Sequence, residues 1–255
     1  MLGLVIGTSL GALGGGGSIL TVPALVYVLG ESARAATTAS LVIVGVTALI
    51  GAFGHARSGR VRWVSGIIFG VTGLAASLVG TALNRQVDPN LLLLAFAALM
   101  LLAAVGMVRP GGGANSPQDR GDASASAGAV TVSGATRFIG AALLVGFLTG
   151  FLGVGGGFII VPALVMVLGF GMPVAVGTSL LVIALNSAAA LVARTGHMSF
   201  HWSIILPFTV AAVAGSLVGT RIADRVSHAT LSRAFAGLLI LVATYVAIQS
   251  AVSLA

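Results

Sequence analysis

Residues 11–30 read GALGGGGSILTVPALVYVLG. Four consecutive glycines, Gly14 to Gly17, interrupt an apolar run that begins at the first residue. A glycine inside a helix costs about 1 kcal/mol relative to alanine, so this run works against a straight helix. The whole apolar segment, about 2–29, would be roughly 42 Å long as one helix, whereas the hydrocarbon core of a bilayer is about 30 Å thick. Two shapes fit. One is a tilted helix broken at the glycines; the other is a re-entrant hairpin of two half-length arms with the glycines at its tip.

Composition supplies the setting. Of 255 residues, 58% are hydrophobic and only 7% are charged, against roughly 25% charged in soluble domains. Such a chain cannot clothe its surface for water and reads as a polytopic membrane protein. All 12 basic residues are arginine, and the formal charge is +7. They fall singly or in small groups between apolar runs, which fits loop anchors at a lipid surface and excludes a nucleic-acid partner. There is no cysteine, so thiol catalysis and disulfides are excluded. The first arginine is Arg34. A cleavable leader is therefore not expected, and the N-terminus is expected on the non-cytoplasmic side.

Apolar runs lie at about 2–29, 35–54, 61–84, 90–108, 138–169, 173–193, 201–223 and 229–252. Residues 109–137 are rich in Gly, Ser, Ala and charge and read as a flexible extramembrane linker. It separates a first transmembrane repeat, 1–108, from a second, 138–255. The halves match each other. VPALV occurs at 22–26 and 161–165, VLG at 28–30 and 167–169, and SLVGT at 77–81 and 216–220, all shifted by 139. Trp63 and Trp202 obey the same shift, and ARSG at 56–59 answers ARTG at 193–196. GALGGGGSILTVP corresponds to GFLGVGGGFIIVP. Duplication of this kind is the usual ancestry of a secondary transporter.

Arginine placement separates the two shapes. With all eight segments crossing, the arginines divide 7 to 5 between the two sides. With segments one and five as returning hairpins, each half has three spans, the second half inverts, and the division becomes 9 to 3. The positive-inside rule favours the hairpins and puts the larger arginine-bearing loops in the cytoplasm, in a multi-pass plasma-membrane protein. The predicted fold is thus all-α, with two inverted repeats, each a glycine-tipped re-entrant or broken segment plus three transmembrane helices.

Irregular backbone at membrane depth needs protein or a water-filled cavity to receive its polar groups. Amides at the start of the arms after Gly17 and Gly156 would present positive dipole ends, and glycine lets an oxyanion approach closely. These features predict a small-anion site near the midplane at Gly15, Gly16, Gly17, Ser18, Gly155, Gly156 and Gly157. The competing use of glycine is close helix crossing, for which Gly11, Gly14, Gly150 and Gly153 are placed. Ser40 and Ser179 match in the repeat, as do Thr47 and Asn186 seven residues on. Thr178, Ser179, Ser40 and Asn186 could line a polar path, cap helices or bond between helices.

Pro23 and Pro162 read as kinks, Trp63 and Trp202 as interfacial residues, and Arg57 and Arg194 as snorkelling helix-end residues. His55, His197, His201 and His228 lie near segment ends and form no metal-ligand set with carboxylates. Glu31, Asp88, Asp119, Asp122 and Asp224 all fall at loops or segment ends. A buried carboxylate relay therefore has no carrier, and proton coupling would fall to substrate, water or a histidine. A sodium site of carbonyls and hydroxyls is the other coupling-ion option. Without lysine, cysteine or an Asp–His–Ser grouping, neither a phosphate loop nor a catalytic set is present, and no cofactor is expected.

GxLGxGGGxxxVPxL followed by GTSL, duplicated around a linker, resembles the sulfite exporter TauE/SafE family of membrane permeases. The similarity covers the chain outside 109–137 and is closest in the second half, GFLGVGGGFIIVPALVMVLG then AVGTSL at 175–180. The first half has TTASL at 37–41 in place of GTSL, and Ser18 where the second has Gly157. The resemblance implies a permease for sulfite, thiosulfate, sulfoacetate or other sulfonates, working by alternating access. A passive anion channel and a non-transporting membrane assembly subunit are the alternative functions. Lipid and a homo-oligomeric partner complete the expected surroundings.

Overall fold

The computed structural model describes residues 1–84, 87, 89–108, 132–152, 157–193 and 201–254. These residues form ten α-helices and no strand. Helix α1 (Leu2–Leu13) stops at the glycine run, and α2 (Gly16–Pro23) begins inside it and continues as a π-helical turn, Ala24–Val28. There follow α3 (Ala33–Arg57), α4 (Trp63–Asn84) and α5 (Pro89–Val108). The second half repeats this order with α6 (Val132–Leu152), α7 (Gly157–Met166), α8 (Met172–Ala193), α9 (Trp202–Arg225) and α10 (His228–Leu254). Helix α6 thus begins within the stretch read as linker.

Among the described residues six helices are long and apolar enough to cross a membrane: α3, α4, α6, α8, α9 and α10. Five of them were expected as spans. The described apolar stretch of α5, Leu94–Met107, is shorter, and α6 reaches 18 residues, Ala135–Leu152, although it is the first arm of a segment read as a hairpin.

The first segment folds back. Gly14 takes φ 76°, closing α1 with its N–H on the Leu10 carbonyl. A side chain at Gly17 would overlap the Ile6 carbonyl and sit 2.7 Å from Leu10 Cβ. Residue 17 thus lies against residues 6 and 10, which only a hairpin allows. Each arm, of 12 residues in α1 and 8 in α2, is too short to span the bilayer. Pro23 has no N–H to continue α2, and the Ala24 N–H is shared between the Leu20 and Thr21 carbonyls as the helix widens.

Duplication is visible in the backbone. Gly30 (φ 69°) and Gly169 (φ 66°) both turn the chain after the second arm. The Glu31 N–H bonds the Leu25 carbonyl at 3.1 Å, as the Phe170 N–H bonds Leu164 at 3.0 Å.

The chain forms two compact units, and each draws on both halves of the sequence. Residues 1–70 with 173–227 make the first; 71–172 with 228–255 make the second. In the first unit, α1 lies along α9. Side chains at Gly3, Gly7 and Gly11 would meet the backbone of Phe208, Ala212 and Ser216 in turn. Both series advance by four residues, so the helices run parallel. In the second unit, Gly146 and Gly150 of α6 lie on the backbone of Gly73 and Ser77 of α4. These are the same pairs shifted by 139. Small residues let the backbones touch, which supplies dispersion where lipid offers no hydrophobic drive.

Gly7→Val and Gly146→Val each force a side chain into a backbone carbonyl, and overpacking of this kind costs about 1–3 kcal/mol or more. Both should lower the melting temperature in detergent, whereas Gly237→Ala, with nothing within 4 Å of the new methyl, should not. Equal melts for all three would refute the crossing.

Candidate functional site

The first unit contains most of the predicted site residues. Gly15, Gly16 and Gly17 are buried, and Ser18 is half-buried. Gly15 caps α2 with no side chain, so the first-turn amides of Gly16 and Gly17 have no carbonyl before them in their own helix. The Ser18 hydroxyl donates to the Gly15 carbonyl at 2.7 Å, and its N–H reaches the same oxygen at 3.3 Å. Thr21, fully buried, donates to Gly17 at 3.0 Å. Gly157 opens α7 in the second unit and is buried. Gly155 and Gly156 lie outside the described residues.

The polar stripe divides by hydrogen bonding. Ser40 donates to Thr37 and Ser179 to Val176, both at 2.8 Å, so each proton stays within its own helix. Thr178 is fully buried and accepts the Arg62 N–H at 3.2 Å, pinning the loop before α4 to α8. Asn186 is different, because its buried Oδ1 has no partner. Thr47, its counterpart in the repeat, likewise has an unpartnered, buried Oγ1.

Two further unpartnered atoms belong to the same unit: Nδ1 of His55 and Oγ of Ser216. Both residues are fully buried. His55 Nε2 lies 2.9 Å from the Gly11 carbonyl. A carbonyl only accepts, so Nε2 carries the hydrogen and Nδ1 presents its lone pair. Ser216 faces Gly51, where an added Cβ would be 2.8 Å from its Oγ, and Thr220 faces Gly54 at 3.4 Å. The His55 Cβ would be 3.0 Å from one on Gly177 of α8. Thr47, Gly51 and His55 are spaced by four along α3, on one face. Four helices, α1, α3, α8 and α9, thus meet around a seam of hydroxyls and one imidazole.

An ion pair holds one end of α9 and a histidine–carboxylate hydrogen bond the other. Arg60 pairs with Asp224, near its last turn. His201, just before its first residue, contacts the largely buried Glu31 at 2.9 Å. Trp63 and Trp202, first residues of α4 and α9, are exposed as interfacial residues would be. Among the described residues no cluster of His, Cys, Asp or Glu could hold a metal ion.

Sequence reasoning placed His55 at a helix end, where the structure buries it, and read SLVGT only as a mark of duplication. The signal for both was present. Thr47, Gly51 and His55 at fourfold spacing form a small-and-polar face, and Ser216 and Thr220 form its partner.

This arrangement is that of a polytopic helical membrane protein with a helix broken at buried glycines. The profile of the family described as Sulfite exporter TauE/SafE matches residues 1–246, and the chain belongs to that family. A "Probable membrane transporter protein" of Xylella fastidiosa (strain Temecula1) is 35% identical over 255 residues, covering 99% of this chain and 95% of its own length. "Probable membrane transporter protein YunE" of Bacillus subtilis is 28% identical, covering 95% and 93%. No solved structure matches the chain. The protein is a membrane transporter of the TauE/SafE type.

Thr178→Val removes the acceptor for the Arg62 N–H, a part-buried hydrogen bond of the kind that contributes about 0.5–1.5 kcal/mol net. Its melting temperature should fall while Thr178→Ser retains that of the parent. A Thr178→Val protein that melts like the parent would rule out the anchoring role.

Proposed function

We propose that this transporter is a permease for small anions, with sulfur oxyanions and organosulfonates such as sulfite, thiosulfate and sulfoacetate as the substrate class. The observation that carries the reading is the buried break at Gly14–Gly17. There an uncapped helix N-terminus built from glycine lies between two arms that are each too short to span. First-turn amides without an intrahelical acceptor and the positive dipole end attract an oxyanion, and the lack of a Cβ admits a tetrahedral group to the backbone. Sulfur chemistry enters from the family description, since amides and glycine alone do not distinguish sulfonate from phosphate.

Alternating access fits the duplicated broken segments, with each half a hairpin plus three crossings and the arginine-rich loops inside. The contribution of the chain is binding and gating.

Proteoliposomes loaded with thiosulfate should take up labelled thiosulfate saturably, faster when unlabelled anion is present on the far side. Sulfite and sulfoacetate should compete with it. Gly156→Val should reduce this flux to background while the protein remains monodisperse. Unitary currents without countertransport would point to a channel instead, and indifference to every anion would point to an assembly subunit.

A further inference from the structure

We infer that His55 is the proton carrier of this transporter, taking up one proton at Nδ1 when an anion occupies the glycine break and returning it to water when the anion leaves. The inference rests on the anion-permease reading and adds its coupling ion.

The glycine break itself makes the site. In an unbroken helix the Gly11 carbonyl would accept from residue 15, but α1 ends at Leu13. Gly11 is left among the last four carbonyls, which have no intrahelical donor. His55, reaching from α3, supplies that donor at 2.9 Å. The imidazole therefore caps the C-terminal end of α1, where the helix dipole is negative and a cation is favoured. Three residues further along the chain the break opens, and the N-terminal, positive end of α2 begins. One interruption thus offers a cation-favouring end to a titratable ring and an anion-favouring end to substrate.

The ring is poised for this role. Nε2–H is fixed by the carbonyl, and Nδ1 is buried without a partner. An ordinary structural histidine has both nitrogens satisfied. Unpartnered Thr47 and Ser216 hydroxyls on the same seam could receive water and relay a proton. Among the described residues His55 is the only fully buried titratable side chain, and the one carboxylate within a candidate span, Asp224, stands in the last turn of α9, paired with Arg60.

Other charges around the ring are few. Arg60, in the loop after α3, and Asp224, on α9, act on it with opposite sign and pair with each other. Arg221 and Arg225 of α9 are exposed. Helices α1, α2 and α8 bring no titratable side chain. The carboxylate that acts on a protonated His55, Asp224, is already paired with Arg60, and the substrate anion supplies the remaining counter-charge. Coupling of this kind is reciprocal: the anion raises proton affinity, and the proton raises anion affinity. The second half has Val192 at the position of His55 in the ARxG alignment, so one proton site serves the duplicated fold.

Thiosulfate is the suitable probe because it stays ionised across the working range. Titrating the purified full chain with thiosulfate, in two buffers of different ionisation enthalpy, should show uptake of close to one proton per anion. Affinity should strengthen as pH falls, by up to about tenfold per pH unit, the limit for a single linked proton. His55→Gln keeps an N–H in reach of the Gly11 carbonyl but cannot titrate. It should bind thiosulfate with no proton uptake and a flat pH profile. In proteoliposomes it should still exchange thiosulfate, yet fail to accumulate it down an imposed acid gradient that drives the parent. If His55→Gln does not fold, a His197→Gln/His201→Gln/His228→Gln protein carrying nitrogen-15 histidine isolates the ring. Its Nδ1 resonance should move to the protonated position on thiosulfate addition. Gradient-driven accumulation or proton uptake surviving in His55→Gln, or an unmoved Nδ1 resonance, overturns the assignment while leaving the permease reading intact. A parent protein that neither binds nor exchanges thiosulfate at any pH overturns both.

Discussion

Every structural feature of this chain answers to one constraint: a backbone amide or carbonyl inside hydrocarbon must find a partner, at a cost of several kcal/mol if it does not. A continuous helix meets the requirement automatically. The interruption at Gly14 gives up that protection for the last carbonyls of α1 and the first amides of α2. The surroundings compensate in part. Leu10 accepts the Gly14 N–H, the Ser18 hydroxyl reaches the Gly15 carbonyl, and His55 crosses from α3 to the Gly11 carbonyl. The first-turn amides of Gly16 and Gly17 remain without an intrahelical acceptor, and the proposed anion site rests on them.

The same residue type solves a second problem. Hydrophobic burial does not drive helices together in lipid, so association depends on close contact between backbones. Gly7 and Gly11 on α1, facing Ala212 and Ser216 on α9, permit this contact, and Gly146 and Gly150 repeat it against Gly73 and Ser77. Each pair joins the first helix of one half to the fourth helix of the other. The broken helices are therefore clamped along one face by a crossing with no slack. The interruption is held in a firm frame, and a bound anion would meet a preorganised set of amides.

Duplication kept the frame and let the polar details diverge. Gly30 and Gly169, the hydrogen bonds of Glu31 and Phe170, and the glycine crossings all recur. His55 does not, since Val192 stands in its place. Unlike Ser77, which donates to the Leu74 carbonyl, the equivalent Ser216 leaves its hydroxyl unpartnered. A packing device tolerates little change because any added methyl meets backbone, whereas a polar side chain on a helix face can be gained by one half alone.

Local properties of the sequence determined the class of protein and the element boundaries. Apolar runs of bilayer length, four glycines in succession and a 139-residue echo specify helices, a break and a repeat with no need of tertiary information. Helix ends fell close to the ends of the apolar runs for that reason. The sequence also marked the glycines, but glycine is ambiguous, and both uses proved present: Gly11 crosses a neighbour, and Gly14 turns the chain. Only the tertiary structure decided which glycine does which, because the distinction depends on whether another backbone stands within about 4 Å. It likewise decided that each compact unit takes helices from both halves and that His55, close to a helix end in sequence, is sealed against α1 and α8. Pairings of this kind join residues 44 positions apart or more, and composition and periodicity carry no record of partners at such separation.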